Sequence, residues 1–116
     1  MMKRILKAFV YSYDGFKAAF KSEAAFRQDL FFCLCGAVAI AFIPAGLPEK
    51  ILLGFSLFLV LFAELVNTAI EAMVDLCSPG QNKLAKIAKD IGSLLVLLSF
   101  INVAVTWGAV LYGVFG

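Results

Sequence analysis

Histidine is absent from this 116-residue chain. That absence removes Ser-His-Asp and Cys-His nucleophilic centres and every His-ligated zinc site in one step. Cysteine is scarce: Cys33, Cys35 and Cys77 make neither an even disulfide framework nor a CxxC pair. Cys33 and Cys35 stand in an apolar run, where free cysteine acts as a small buried hydrophobe. Charge is thin as well, at 16% of residues, while 63% are apolar. Soluble domains are roughly 45–50% apolar, and a chain this short has too little interior to hide the excess from water. High hydropathy with little charge equally excludes a disordered chain. No basic cluster of the nucleic-acid-binding kind occurs, so no nucleic acid is expected as a partner. What remains is a single domain with a bilayer as its main solvent.

The apolar residues fall into runs of spanning length. Leu30 to Leu47 carries no charge and lies near the short end of the roughly 17–25 residues a spanning helix needs. Pro44, Gly46 and Pro48 mark its exit. A second run starts at Ile51 and keeps helical character through Glu64, Asn67, Glu71 and Asp75 to about Cys77. Ser78-Pro79-Gly80-Gln81-Asn82 reads as a loop, and Ile91 to Gly116 is again uncharged. The expected fold is all-α and integral to the membrane, with transmembrane helices over about 30–47, 51–77 and 91–115.

The segment before the first run has another character. Ile5, Leu6, Phe9, Tyr13, Phe16 and Phe20 recur at helical spacing among Lys3, Arg4, Lys7, Lys17 and Lys21. This predicts an amphipathic surface helix over about 3–28, lying in the interface plane. Asp14-Gly15 is expected to break or bend it. A cleavable signal peptide is disfavoured, because Lys7, Asp14 and Lys17 interrupt any apolar core. Lys3, Arg4, Lys7, Lys17, Lys21 and Arg27 precede the first span. Only Lys50 is in the first loop, Lys83, Lys86 and Lys89 are in the second, and none follows the third span. This predicts a cytoplasmic N-terminus and second loop, with the C-terminus outside.

The polar residues of the second span form a stripe. Seven residues of helix return to within about 20° of the start, so Glu71 falls almost beneath Glu64, with Asp75 one turn further and Asn67 and Thr68 alongside. An ionised carboxylate at the centre of a spanning helix costs roughly 2.5–3.5 kcal/mol on insertion scales. Acids retained there usually mark a pathway or a catalytic centre, whereas Asn67 and Thr68 taken alone could merely join helices. Glu23 and Asp29 before the first span, and Lys89-Asp90 before the third, can meet the stripe at one membrane depth.

Oxygen ligands without His favour hard cations, Mg²⁺ above all, held by one or two carboxylates and completed by water and phosphate. A deeper carboxylate could accept a proton from a lipid hydroxyl, and interfacial lysine could neutralise phosphate, as phosphoryl transfer requires. No GxGxxG occurs, and the stretch from Gly15 to Ser22 misses the P-loop pattern because Phe20 stands at its second glycine. Any ATP chemistry here therefore runs without a P-loop.

Three stretches carry a family likeness: Glu23-Ala-Ala-Phe-Arg-Gln, Glu64-Leu-Val-Asn67-Thr-Ala-Ile-Glu71-Ala-Met-Val-Asp75 and Ala88-Lys89-Asp90-Ile-Gly-Ser93. Together with the closing Thr106-Trp107, they resemble the membrane-integral prokaryotic diacylglycerol kinase family, which is related to undecaprenol kinases, over essentially the whole chain. The resemblance implies a homotrimer in the bacterial inner membrane. Each chain would have three spanning helices and a surface helix, and would move the γ-phosphate of Mg·ATP to diacylglycerol at the cytoplasmic face. By motif position, Glu64 would be the general base and Asn67 would orient the reacting centre. Glu23 and Glu71 would hold the Mg²⁺ on ATP, with Lys89, Asp90, Arg4 and Tyr11 as further ATP contacts. Ala25, Phe26, Arg27, Gln28, Asp29, Glu64 and Ser93 would face the lipid substrate, and Asp75 would support the site.

The chain departs from the family pattern in places. Asp29 stands where many relatives carry Glu, and the Ser78–Asn82 loop, where relatives contact adenine, follows no matched pattern. Undecaprenol kinases share the central helix but usually differ around the Glu23 segment, which favours diacylglycerol as the acceptor. A small oligomeric proton or cation transporter is the alternative of another class. Against it stands the clustering of polar groups at one membrane end, with only Glu49 and Lys50 in the first loop.

Overall fold

The apolar runs and the amphipathic leader fold as four α-helices: α1 (Met2–Ser22), α2 (Ala24–Phe42), α3 (Leu47–Cys77) and α4 (Lys83–Phe115). This computed structural model describes residues 1–80 and 82–116, and no strand occurs among them. Gln81, in the expected loop, lies outside the described residues. Helices α2, α3 and α4 are each long and apolar enough to cross a membrane. The surface accessible to solvent is 8376 Å² for 12.6 kDa, against about 6200 Å² for a compact soluble monomer of that mass. Large apolar side chains such as Phe31, Phe58 and Val105 face outward, as helices in lipid require.

α3 is the central element. Leu53, Ser56, Leu57, Val60, Ala63, Glu64 and Asn67 are its buried residues, and their three-to-four spacing makes one continuous face. α4 packs antiparallel along it. At the α1 end, Lys89 Nζ meets Asp75 Oδ1 at 2.7 Å. Further along, Gly92 lies against Asn67. At the opposite end, Trp107 Nε1 donates to Ser56 Oγ at 3.0 Å, and that hydroxyl donates to the Leu53 carbonyl at 2.6 Å. α2 lies on the other flank of α3. Cys33 Sγ donates to the Leu57 carbonyl at 3.4 Å, and a Cβ added at Gly36 would meet Leu57 Cδ1 at 2.7 Å. Cys33 is thus buried, as its apolar run implies, while Cys35 and Cys77 are exposed and all three are free.

The boundaries follow local chemistry. α2 ends at Phe42 before Pro44, and α3 starts with Pro48 in its first turn, where a missing N–H costs nothing. α4 begins eight residues before the uncharged run, because the Asn82 side chain accepts from the Leu84 and Ala85 amides at 2.8 and 3.3 Å. α1 runs unbroken through Asp14-Gly15, contrary to the expected break. Gly15 meets no neighbour and costs only about 1 kcal/mol relative to Ala, which the flanking helical turns outweigh. The break comes instead at Glu23, whose extended backbone (φ −117°, ψ 106°) separates α1 from α2. Ala24 to Gln28 therefore open the first spanning helix instead of closing the surface helix.

Candidate active site

The acidic stripe on α3 has a gradient of burial along it. Glu64 and Asn67 are 7% and 8% exposed, Glu71 and Thr68 are half-buried, and Asp75 is exposed. An uncovered carboxylate in hydrocarbon is expensive, so the deepest acid is also the one most enclosed by protein. Asp29, half-buried on α2, comes within side-chain hydrogen-bond reach of Glu64, and the carboxyls of Glu23 and Glu71 act on Glu64 electrostatically. Asp29, Glu23 and Glu71 thus lie in the neighbourhood of Glu64 without forming a cage among the described residues.

Asn67 ties this group together. Its Nδ2 donates to Glu71 Oε1 at 3.0 Å, one turn away on the same face of α3. Its Oδ1 is buried and, among the described residues, has no hydrogen-bond partner; Asp29 Oδ2 is in the same condition. Buried polar atoms are nearly always paired in folded proteins. Asn67 Oδ1 and Asp29 Oδ2 are therefore buried polar atoms that the described residues leave without a hydrogen bond.

Toward the α1 end the stripe opens into a cleft of about 910 Å³ between α3 and α4, whose lining includes Asp75, Ser78, Asn82, Lys86, Lys89 and Asp90. Lys89 is held by Asp75 and also feels Glu71; Lys86 Nζ pairs with Asp90 Oδ2 at 2.7 Å. Both lysines precede the uncharged run that starts at Ile91. The hydrogen-bonded carboxylate, Asp90 for Lys86 and Asp75 for Lys89, pushes each lysine's pKa up, so both remain charged at physiological pH.

The Glu23–Asp29 segment divides by role. Phe26 is 2% exposed and packs edge-to-face on Phe16 of α1, with ring centres 5.6 Å apart. Arg27 Nη1 donates to the Phe20 and Lys21 carbonyls at 2.6 and 3.1 Å, capping the end of α1. These two side chains join α1 to α2, while Ala25, Gln28 and, on α4, Ser93 are exposed. Arg4 and Tyr11 stand exposed on α1, with no hydrogen bond or ion pair to the acidic group among the described residues. The sequence reading assigned no role to Gly92, which sits directly on Asn67. A glycine inside a strong helical pattern was the available signal.

Among the described residues, no three His, Cys, Asp or Glu side chains form a ready-made metal cage. Mg²⁺ needs only one or two carboxylates beside water and phosphate. Glu23 and Glu71 are half-buried carboxylates of the kind such an ion takes, Glu71 with one oxygen engaged by Asn67 and the other unengaged among the described residues. The donor set fits a hard cation that arrives with phosphate.

The family model for prokaryotic diacylglycerol kinase matches residues 10–111. A diacylglycerol kinase of Escherichia coli K12 is 39% identical over 113 residues, which is 97% of this chain and 93% of the relative. One from Pseudomonas aeruginosa is 42% identical over 113 residues, covering 97% and 91%. One from Haemophilus influenzae is 33% identical over 111 residues, covering 96% and 94%. With three spanning helices around an acidic stripe and a match over nearly its whole length, the chain belongs to the prokaryotic diacylglycerol kinase family.

Proposed function

We propose that this chain transfers the γ-phosphate of ATP to the free hydroxyl of diacylglycerol, giving phosphatidic acid, at the cytoplasmic face of the bacterial inner membrane. The observation that carries the reading is Glu64: a carboxyl buried within a spanning helix, with Asp29, Glu23 and Glu71 in its neighbourhood. A carboxyl at membrane depth can reach a hydroxyl that a lipid presents from within the bilayer, which a soluble enzyme's base cannot.

In this reading Glu64 accepts the lipid hydroxyl proton as the oxygen attacks the γ-phosphorus. The bond from that phosphorus to the bridging oxygen breaks, and ADP leaves. Asn67 holds the Glu71 carboxylate through its amide. Glu23 and Glu71 would hold Mg²⁺, which with ATP would neutralise charge on the phosphate oxygens. Lys89 faces the phosphates from the α3–α4 cleft, exchanging its Asp75 partner for phosphate oxygen, and Asp90 lies on the nucleotide side. Arg4 and Tyr11 approach the nucleotide from α1. Ala25, Gln28, Asp29 and Ser93 face the lipid, with Phe26 and Arg27 setting the angle between α1 and α2. The functional unit is a homotrimer, with the N-terminus cytoplasmic and the C-terminus outside, the arrangement favoured by the lysine and arginine distribution.

The test is transfer of radiolabelled phosphate from Mg·ATP in mixed micelles, with diacylglycerol or undecaprenol as acceptor. Labelled phosphatidic acid is the expected product, with diacylglycerol the better acceptor. Labelling of undecaprenol alone would move the assignment to that lipid, and labelling of neither would remove the kinase reading.

A further inference from the structure

We infer that Gly92 is a positioning residue for the nucleotide side of the site, acting through Asn67 on Glu71. The inference rests on the proposed role of Glu71 in holding metal-bound ATP, and it begins from a space. Gly92 is buried on α4, facing α3. A Cβ built on it would overlap Asn67 Oδ1 and would stand 3.2 Å from Asn67 Cγ and 3.6 Å from Ile70 Cδ1. The amide oxygen therefore occupies the room that a side chain at 92 would fill.

That placement decides which way the amide points. Asn67 has one carbonyl oxygen and one NH₂ group, and only the NH₂ can donate to a carboxylate. With Oδ1 turned toward Gly92, Nδ2 faces Glu71 and makes the 3.0 Å bond. Turned the other way, the carbonyl oxygen would face carboxylate oxygen, and both groups would only accept. Oδ1 has no hydrogen bond to hold it among the described residues. The orientation is thus set by shape on the α4 side and by the Glu71 bond on the other. A methyl group at 92 displaces the oxygen, rotates the amide and releases Glu71.

The three atoms nearest the added Cβ belong to Asn67 and Ile70, and none to Glu64 or Asp29. The expected defect is therefore on the nucleotide and not on the lipid. Partners that orient a metal-holding side chain typically change metal affinity by about 10–100-fold when altered. Gly92→Ala should weaken binding of Mn·ATP by about that factor, with the KM for diacylglycerol unmoved.

The experiment measures Mn·ATP binding by equilibrium dialysis and Mn²⁺ paramagnetic resonance on the full-length protein in micelles. The variants are Gly92→Ala, Asn67→Ala and the two combined. If Gly92 acts through Asn67, the double variant binds no more weakly than Asn67→Ala alone, because the group to be displaced is already gone. Should Gly92→Ala fail to assemble, recovery of assembly in the double variant supports the same contact. Unchanged Mn·ATP binding in Gly92→Ala, fully additive losses, or a double variant that also fails to assemble would each overturn it. Failure of the unsubstituted protein to bind Mn·ATP would instead overturn the nucleotide reading on which the inference stands.

Discussion

The two halves of α3 carry buried polar groups of opposite character. In its first half, Ser56 is 1% exposed, yet its hydroxyl both accepts and donates: Trp107 donates to it and it donates to the Leu53 carbonyl. Towards its other end, Asn67 is 8% exposed and keeps an acceptor unpaired, as does Asp29 opposite Glu64. In a medium that supplies no water, a closed hydrogen-bond chain contributes stability, while an open one costs free energy until something arrives to complete it. Satisfaction, more than burial, separates the structural polar group from those of the proposed site.

Substitutions at the two ends should therefore fail in different ways. The largest effect is expected at the open end. Glu64→Gln removes the proton acceptor while keeping the shape, and phosphate transfer should fall about 10²–10⁴-fold with no loss of thermal stability. Labelling of diacylglycerol at the unsubstituted rate would remove Glu64 from the chemistry.

The closed end should give the reverse. Trp107→Phe deletes an interhelical hydrogen bond of the kind worth about 0.6–1.7 kcal/mol in membranes. Reversible unfolding in mixed detergent should report that loss, while turnover of the folded fraction stays the same. An activity loss without destabilisation would erase the distinction between the ends. The smallest effect belongs to neither end's interior. Asn82→Ala removes the exposed cap of α4, worth about 0.5 kcal/mol at the low end of such caps. It should appear as faster amide exchange at Leu84 and Ala85 and hardly at all in the unfolding midpoint.

Legibility in the sequence followed the same division. Glu64, Glu71 and Asp75 announced themselves because a carboxylate in an apolar run has no cheap explanation. The three spans were equally plain, since long apolar runs carry them and Pro44 and Pro48 mark the junction of the first two. The α1–α2 boundary was not, because the helical pattern continues across Glu23 and the break is held by Arg27 reaching back to the carbonyls of α1. The work of Phe26 and Arg27 between helices was hidden for the same reason: it depends on the angle between two elements. Ser56 with Trp107, and Gly92 with Asn67, are pairs whose members lie far apart in the chain. They emerge only once α4 is laid along α3 in one register.

That register has a consequence for the site. A helix rises about 1.5 Å per residue, so sliding α4 along α3 by two residues would separate the indole N–H from the Ser56 hydroxyl by about one hydrogen-bond length. The bond at the far end thus works as a depth gauge: it fixes how far α4 is pushed into the bilayer relative to α3. The same setting brings Gly92 level with Asn67 and Lys89 level with Asp75. Alignment at the proposed site is kept by a contact made about three helical turns away along α3.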